Sequence, residues 1–289
     1  MTRQTDSTAT SRLRRDVKRF TRRFRTATIS FVFLAAMLFG AIGAPLLTPY
    51  DPTTPKIPER FQGPSIGHIL GTDDLGRDIA ARVMYGARAT LAAGFASVLL
   101  AVVFGSAIGL AAGYLGGIVD NLLMRAMDVV LSFPAILLAI LIVASLGTGL
   151  INLVVAIAFS LVPSFARIVR AIVLGIVTQD HILASEALGA SGLHVVRTHL
   201  IPNTLPLLLV QATATMAVAI STGAALNYLG LGVEPPTPDW GLMVSEGQKH
   251  VFSAAYIPLI PGVFITLTVL SVNFIGDALR DFLDPVLKR

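Results

Sequence analysis

Side chains able to do covalent or metal chemistry are scarce in this sequence. Cysteine is absent, which removes thiol nucleophiles, thiolate metal sites and disulfides. No lysine follows a glycine, so the Gly-Lys-Ser/Thr loop that cradles nucleotide phosphates cannot form. There is no His-Glu-x-x-His pair to hold zinc. His181, His194 and His199 fall within one short stretch, but none has the i, i+4 partner of a helical zinc site, so they read as exposed loop histidines. No catalytic residue, metal site or cofactor is expected. The polar groups left to consider sit in apolar runs: Asn227 and Asn273 are candidates for lining a pathway, or for hydrogen bonds between helices.

The elements that hold those asparagines are apolar blocks. Of the 289 residues 54% are hydrophobic and only 13% charged, against about a quarter charged in ordinary soluble domains. Runs of about 18 or more apolar residues mark bilayer-spanning helices. Six are expected, at roughly Ile29–Leu47, Ala89–Gly113, Val129–Leu146, Leu150–Ala166, Leu205–Leu229 and Ile257–Ile275. The third and fourth are parted only by Gly147-Thr148-Gly149 and should form a tight hairpin. The fold class is therefore all-α and integral to the membrane.

Charge sets the orientation. Nine of the 22 Lys and Arg lie within the first 25 residues, a topology signal rather than a nucleic-acid surface. With the N-terminus inside, sixteen cations face the cytoplasm and five the exterior, with Arg88 at a boundary; both termini are expected inside. A cleaved secretory signal is the rival reading of the first block, but a polar tail of 28 residues and an apolar run near 20 do not suit one. The expected layout is a disordered basic tail (1–28), a first span with its external loop (29–86), a core of five spans (87–277) and a cytoplasmic C-terminal tail (278–289).

Two external segments carry structure of their own. Thr72 or Asp73 can cap a helix in which Leu75, Ile79 and Val83 recur every four residues, a face suited to the membrane surface. Further on, Pro235-Pro236-Thr237-Pro238 must leave the helix, and the only tryptophan, Trp240, fits the bilayer interface. That second segment is a packed loop or a lid above a pathway.

Charges are nearly missing from the span interiors. Ion-coupled carriers need midplane acids, bases or broken helices to bind and release the coupling ion, so the driving energy is expected to come from elsewhere. In the second span Gly105, Gly109 and Gly113 repeat every four residues, preceded by Ala101 and Ser97. Such a stripe lets a second helix approach closely, within this chain or from another subunit. Pro163 should weaken the fourth span at one hydrogen bond.

The longest inside loop, from Arg167 to His199, reads as two short helices. Thr178 can cap the first, which stops at Gly189; Ser191 can cap the second, before Pro202 leads into the fifth span. A helix–Gly–helix elbow standing on two spans is a lever. The stretch Glu186-Ala187-Leu188-Gly189-Ala190-Ser191, ending at Pro202-Asn203, resembles the coupling loop of ABC importer permeases, in which a proline follows the loop glycine by thirteen positions. The family's Glu-Ala-Ala positions fall on Leu183-Ala184-Ser185, so its glutamate is missing and Glu186 stands one step past it. Gly71-Thr72-Asp73-Asp74-Leu75-Gly76-Arg77-Asp78 with Tyr85-Gly86-Ala87-Arg88 is similar to the C-type permeases of dipeptide, oligopeptide and nickel importers. Pro235 to Gly241 and Gly276 to Pro285 are similar to them too, from about Thr48 to the C-terminus in one register.

The resemblance implies a type-I importer core in the inner membrane and a heterodimer with a second permease. It further implies two cytoplasmic ATPases that engage coupling helices at about 178–200, and an external substrate-binding protein. The coupling positions would be Asp180, Ala184, Glu186, Ala187, Leu188, Gly189, Ala190 and Ser191. The cargo would be a dipeptide or oligopeptide, with a nickel chelate or another small solute as the alternative. A self-sufficient channel or secondary transporter, and a membrane scaffold without transport, are the readings from other classes.

Overall fold

The computed structural model describes residues 24–283. The expected basic tail up to residue 23 and the last six residues, with Lys288 and Arg289, lie outside the described residues. The described chain is helical, with a single isolated bridge between Thr72 and Asp78.

Helix α1 spans Arg25–Leu47, α2 Ile79–Leu115 and α5 Leu150–Val177. A continuous helix from Gly192 to Tyr228 joins α7 (Gly192–Val195), a π-helical turn (Val196–Leu200) and α8 (Ile201–Tyr228), and α10 runs Tyr256–Leu283. These five helices are long and apolar enough to cross a membrane. The expected third span is not one of them. Its residues divide between α3 (Gly117–Leu131) and α4 (Ala135–Leu146), which meet at about 90°. Pro134 is the cause: a proline disfavours helical backbone in the residue before it, and Pro134 itself stands extended at φ −55°, ψ 128° as the cap of α4. With 12 residues α4 reaches about 18 Å, too short to cross a hydrocarbon layer of about 30 Å by itself. Taken together, the bent pair is long and apolar enough for a sixth, broken span.

Two other spans continue past their expected ends. The helix expected to stop at Ala166 runs on to Val177, because Arg167 and Arg170 are neutralised by Asp128 and Asp120 of α3. Pro163 is buried inside it without ending it. Likewise α2 begins ten residues before the expected Ala89 and runs unbroken across residue 87. The turn between α4 and α5 is as tight as its glycines suggest, with Gly147 at φ +92° and Gly149 at φ +123°.

Packing centres on α2 against α5. A Cβ on Gly105 would lie 2.6 Å from Phe165 Cβ, one on Gly109 2.5 Å from the Ala166 carbonyl oxygen, and one on Gly113 2.8 Å from Val173 Cβ. The small-residue stripe thus receives a helix of the same chain. Ser97 extends the contact by donating to the Val154 carbonyl at 3.1 Å.

The external segments differ from expectation. Ile79 and Val83 are buried with Ala41, Trp240, Met243 and Ile257, so they form a core and not a membrane-surface face. The cap of α2 is Asp78, accepting from the Ala81 N–H at 2.7 Å; Thr72 and Asp73 are occupied elsewhere. Trp240 opens α9 (Trp240–Gly247) and is fully buried, donating from Nε1 to the Val83 carbonyl at 2.9 Å. It anchors the loop rather than an interface, because that carbonyl gives its indole N–H a partner inside the protein.

Candidate functional site

The elbow between α5 and α8 is built by backbone chemistry before any side chain matters. The first helix, α6, runs Asp180–Ala187 with Asp180 in its first turn, where a carboxylate favours the helix dipole. Thr178 does not cap it; Thr178 closes α5, and the Gln179 carbonyl accepts from Ile182 and Leu183. The helix ends as a Schellman turn: Gly189 takes φ +87°, and the Ala190 N–H reaches back to the Ser185 carbonyl at 3.1 Å. Ser191 then caps the next helix, its Oγ accepting from the His194 N–H at 3.4 Å. The second arm does not stop before the span but continues through the π-helical turn into α8.

Burial sorts the elbow into a root and a face. Ile182, Val195 and Leu200 are fully buried in the same core cluster as Phe165 and Val169. Opposite them Leu183, Leu188 and Leu193 stand 51%, 90% and 60% exposed. Ala184, Ala187, Gly189 and Ser191 are also exposed, and Ala190 is half-buried. A rooted lever with an apolar, small-residue face can transmit a push from a docked partner to α5 and α8 together. Leu183 and Leu193 are the residues that motif reading undervalued; nothing local in the sequence separates them from the buried Ile182 and Val195. The histidines, expected in an exposed loop, stand on helical turns instead: His181 and His194 are exposed, His199 is half-buried, and the His199 ring lies 5.6 and 6.3 Å from the other two.

The end of the molecule away from the elbow holds an ionic lock that the sequence pattern did not expose. Asp73 accepts from Arg77 Nε at 2.7 Å and pairs with the Arg82 guanidinium. Both arginines also reach Glu246 Oε2 of α9, at 3.1 and 2.8 Å. Asp73 and Arg82 are each 2% exposed. Asp73 further accepts the N–H groups of Leu75 and Arg77, so the Gly-Thr-Asp-Asp-Leu-Gly-Arg-Asp stretch is a charged knot tying the external loop to α9. Beside it His68 Nδ1 meets Asp78 at 2.8 Å. Asp239 caps α9 through the Gly241 and Leu242 N–H groups and receives the Thr90 hydroxyl at 2.6 Å. Burial pushes its carboxyl above the usual range, against the pull of those three donors.

The two asparagines separate. Asn227 is buried, and its Oδ1 accepts from the Val233 N–H at 2.7 Å, fixing the turn after α8. Asn273 is exposed on α10. Among the described residues no group of three metal-ligating side chains converges.

Residues 105–289 match the family model of the binding-protein-dependent transport system inner membrane component. Residues 12–64 match the N-terminal transmembrane domain of oligopeptide transport permease C. The chain is 45% identical over 266 residues to the dipeptide transport system permease protein DppC of Alkalihalophilus pseudofirmus, covering 91% of this chain and 87% of that protein. It is 40% identical over 275 residues to the glutathione transport system permease protein GsiD of Pectobacterium atrosepticum, covering 94% and 91%. Among solved structures, an inward-facing MetNI methionine ABC transporter superposes with a TM-score of 0.55 at 25% identity. It covers 69% of this chain and 94% of the other.

Proposed function

Because this chain belongs to the family of binding-protein-dependent transport system inner membrane components, we propose that it forms half of a pathway carrying dipeptides or short oligopeptides across the inner membrane, with its elbow driven by partner ATPases. It is a transport subunit rather than an enzyme. The single observation that carries the mechanism is the elbow: Leu183, Leu188 and Leu193 are exposed beside a Gly189 break whose root is fully buried. Exposed leucines on a structured, rooted surface mark a docking face. A second permease completes the pathway, two ATPase subunits engage the elbows, and an external binding protein delivers cargo. The elbow faces the cytoplasm, and both termini lie on that side.

ATP binding would draw the two ATPases together, and each elbow would follow its ATPase. Since α6 and α7 stand on α5 and α8, this displacement tilts both helices and opens the pathway outward. The chemistry of hydrolysis stays with the partners. Peptide cargo rests on the names of the relatives, two of which are dipeptide and glutathione permeases. Its test is uptake of a labelled dipeptide by cells lacking this chain. Loss of uptake, restored by the intact chain, is the expected result; undiminished dipeptide uptake alongside loss of another solute would assign a different cargo.

A further inference from the structure

A groove of about 430 Å³ lies on the membrane-spanning surface where α1 meets α2, α8 and α10. Eleven of its twelve lining residues are apolar, among them Leu34, Leu38, Phe95, Met216 and Val272; the twelfth is Arg88. The groove has direction. Helices α1 and α2 run antiparallel here, so Ala41, Ile42 and Arg88 share one end, while Leu34 and Phe95 share the other. Eight residues of α1 separate those ends, about 12 Å of helix. The Arg88 end is the one near Leu47, where α1 finishes, and therefore lies toward the headgroup level.

Arg88 is held there by a defect in α1. Pro45 has no N–H to give the Ala41 carbonyl, the oxygen four residues before it. Arg88 Nε donates to that carbonyl at 2.5 Å and its terminal nitrogen to the Ile42 carbonyl at 3.2 Å. Its guanidinium also lies 4.7 Å over the Tyr85 ring. No carboxylate pairs with it among the described residues, and it remains exposed. A fixed planar cation at the headgroup end of an apolar groove matches one chemistry: a phosphate above and a hydrocarbon chain below. An apolar helix from another subunit would leave that guanidinium facing hydrocarbon without a counter-charge. We infer that this seam binds a membrane phospholipid, one acyl chain lying in the groove and its phosphate on Arg88. The lipid would fill the joint between α1, whose residues match the separate N-terminal family model, and the shared core.

The test is native mass spectrometry of the full-length chain, extracted in its assembled form with a phosphate-free detergent. We expect about one phospholipid retained per chain. Ala92→Trp fills the groove while leaving the Arg88 cation in place and should reduce retention at least tenfold; Arg88→Gln removes the cation and should reduce it several-fold. Should Arg88→Gln fail to assemble, Ala92→Trp decides alone. Absence of retained lipid overturns the proposal, as does retention unchanged in Ala92→Trp, retention unchanged in an assembled Arg88→Gln, or a polypeptide segment of another subunit found seated in the groove.

Discussion

Gly109 shows how little room a single position has. A side chain there would start 2.5 Å from a backbone oxygen of α5 and 2.7 Å from Val169 Cβ, and backbone cannot step aside as a flexible side chain can. Gly109→Leu should therefore cost stability on the scale of an overpacked core, about 1–3 kcal/mol, seen as a lower unfolding temperature of the extracted protein. An unchanged temperature would mean that α2 and α5 are not in contact there. Asp73 makes the opposite case, where a group is removed. Without its carboxylate, Arg77 and Arg82 remain buried with Glu246 to share and only Asp74, 4.0 Å from Arg77, beside it, and breaking a buried pair typically costs about 3–5 kcal/mol. Asp73→Ala should loosen the external loop, so that limited proteolysis cuts between residues 51 and 70 while the spans stay protected; protection equal to the parent would show that the knot is not what holds the loop. The glycine stripe was legible because small residues at a four-residue spacing have one simple use in a membrane. The ionic lock was not, because Arg77 and Glu246 lie 169 positions apart and nothing local in either stretch announces the other. For the same reason the spacing of Leu75, Ile79 and Val83 suggests one helical face, whereas Leu75 stands in the turn before α2 and Ile79 and Val83 turn inward.

At the scale of elements, hydropathy located five crossings and misjudged one. The run from Val129 to Leu146 is apolar enough to pass as a span, yet Ser132-Phe133-Pro134 breaks it, and composition outweighed that punctuation in the reading. The helices α2 and α5 run past their expected ends for a related cause: Arg82, Arg167 and Arg170 are paired and remain helical. The side assignments rest on cation counts and give a direct expectation. Reporters fused at Glu59 and Lys249 should read external and a reporter at Asp180 cytoplasmic; an external reading at Asp180 would place the elbow beyond reach of any cytoplasmic ATPase.

Across the whole molecule, the elbow and the lock sit at opposite ends of the same helices. Helices α5 and α8 rise from the elbow; at the far end α8 packs on α9, which carries Glu246. A displacement at one end can thus reach the other through rigid elements with few joints. The elbow was readable from the spacing of Gly189, Ser191 and Pro202, but its docking face became visible only once burial separated Ile182 and Val195 from their leucine neighbours. Gly189 isolates the question of coupling, because open space surrounds its α-carbon and only its φ of +87° demands glycine. A β-branched residue resists that backbone by about 1 kcal/mol or more, whereas asparagine tolerates it. The decisive measurement compares Gly189→Val and Gly189→Asn with the parent for membrane abundance, ATPase retention and dipeptide uptake in one preparation. We expect all three at normal abundance, with uptake and ATPase coupling lost in Gly189→Val and largely kept in Gly189→Asn. Normal ATPase retention and normal uptake in Gly189→Val would contradict the lever.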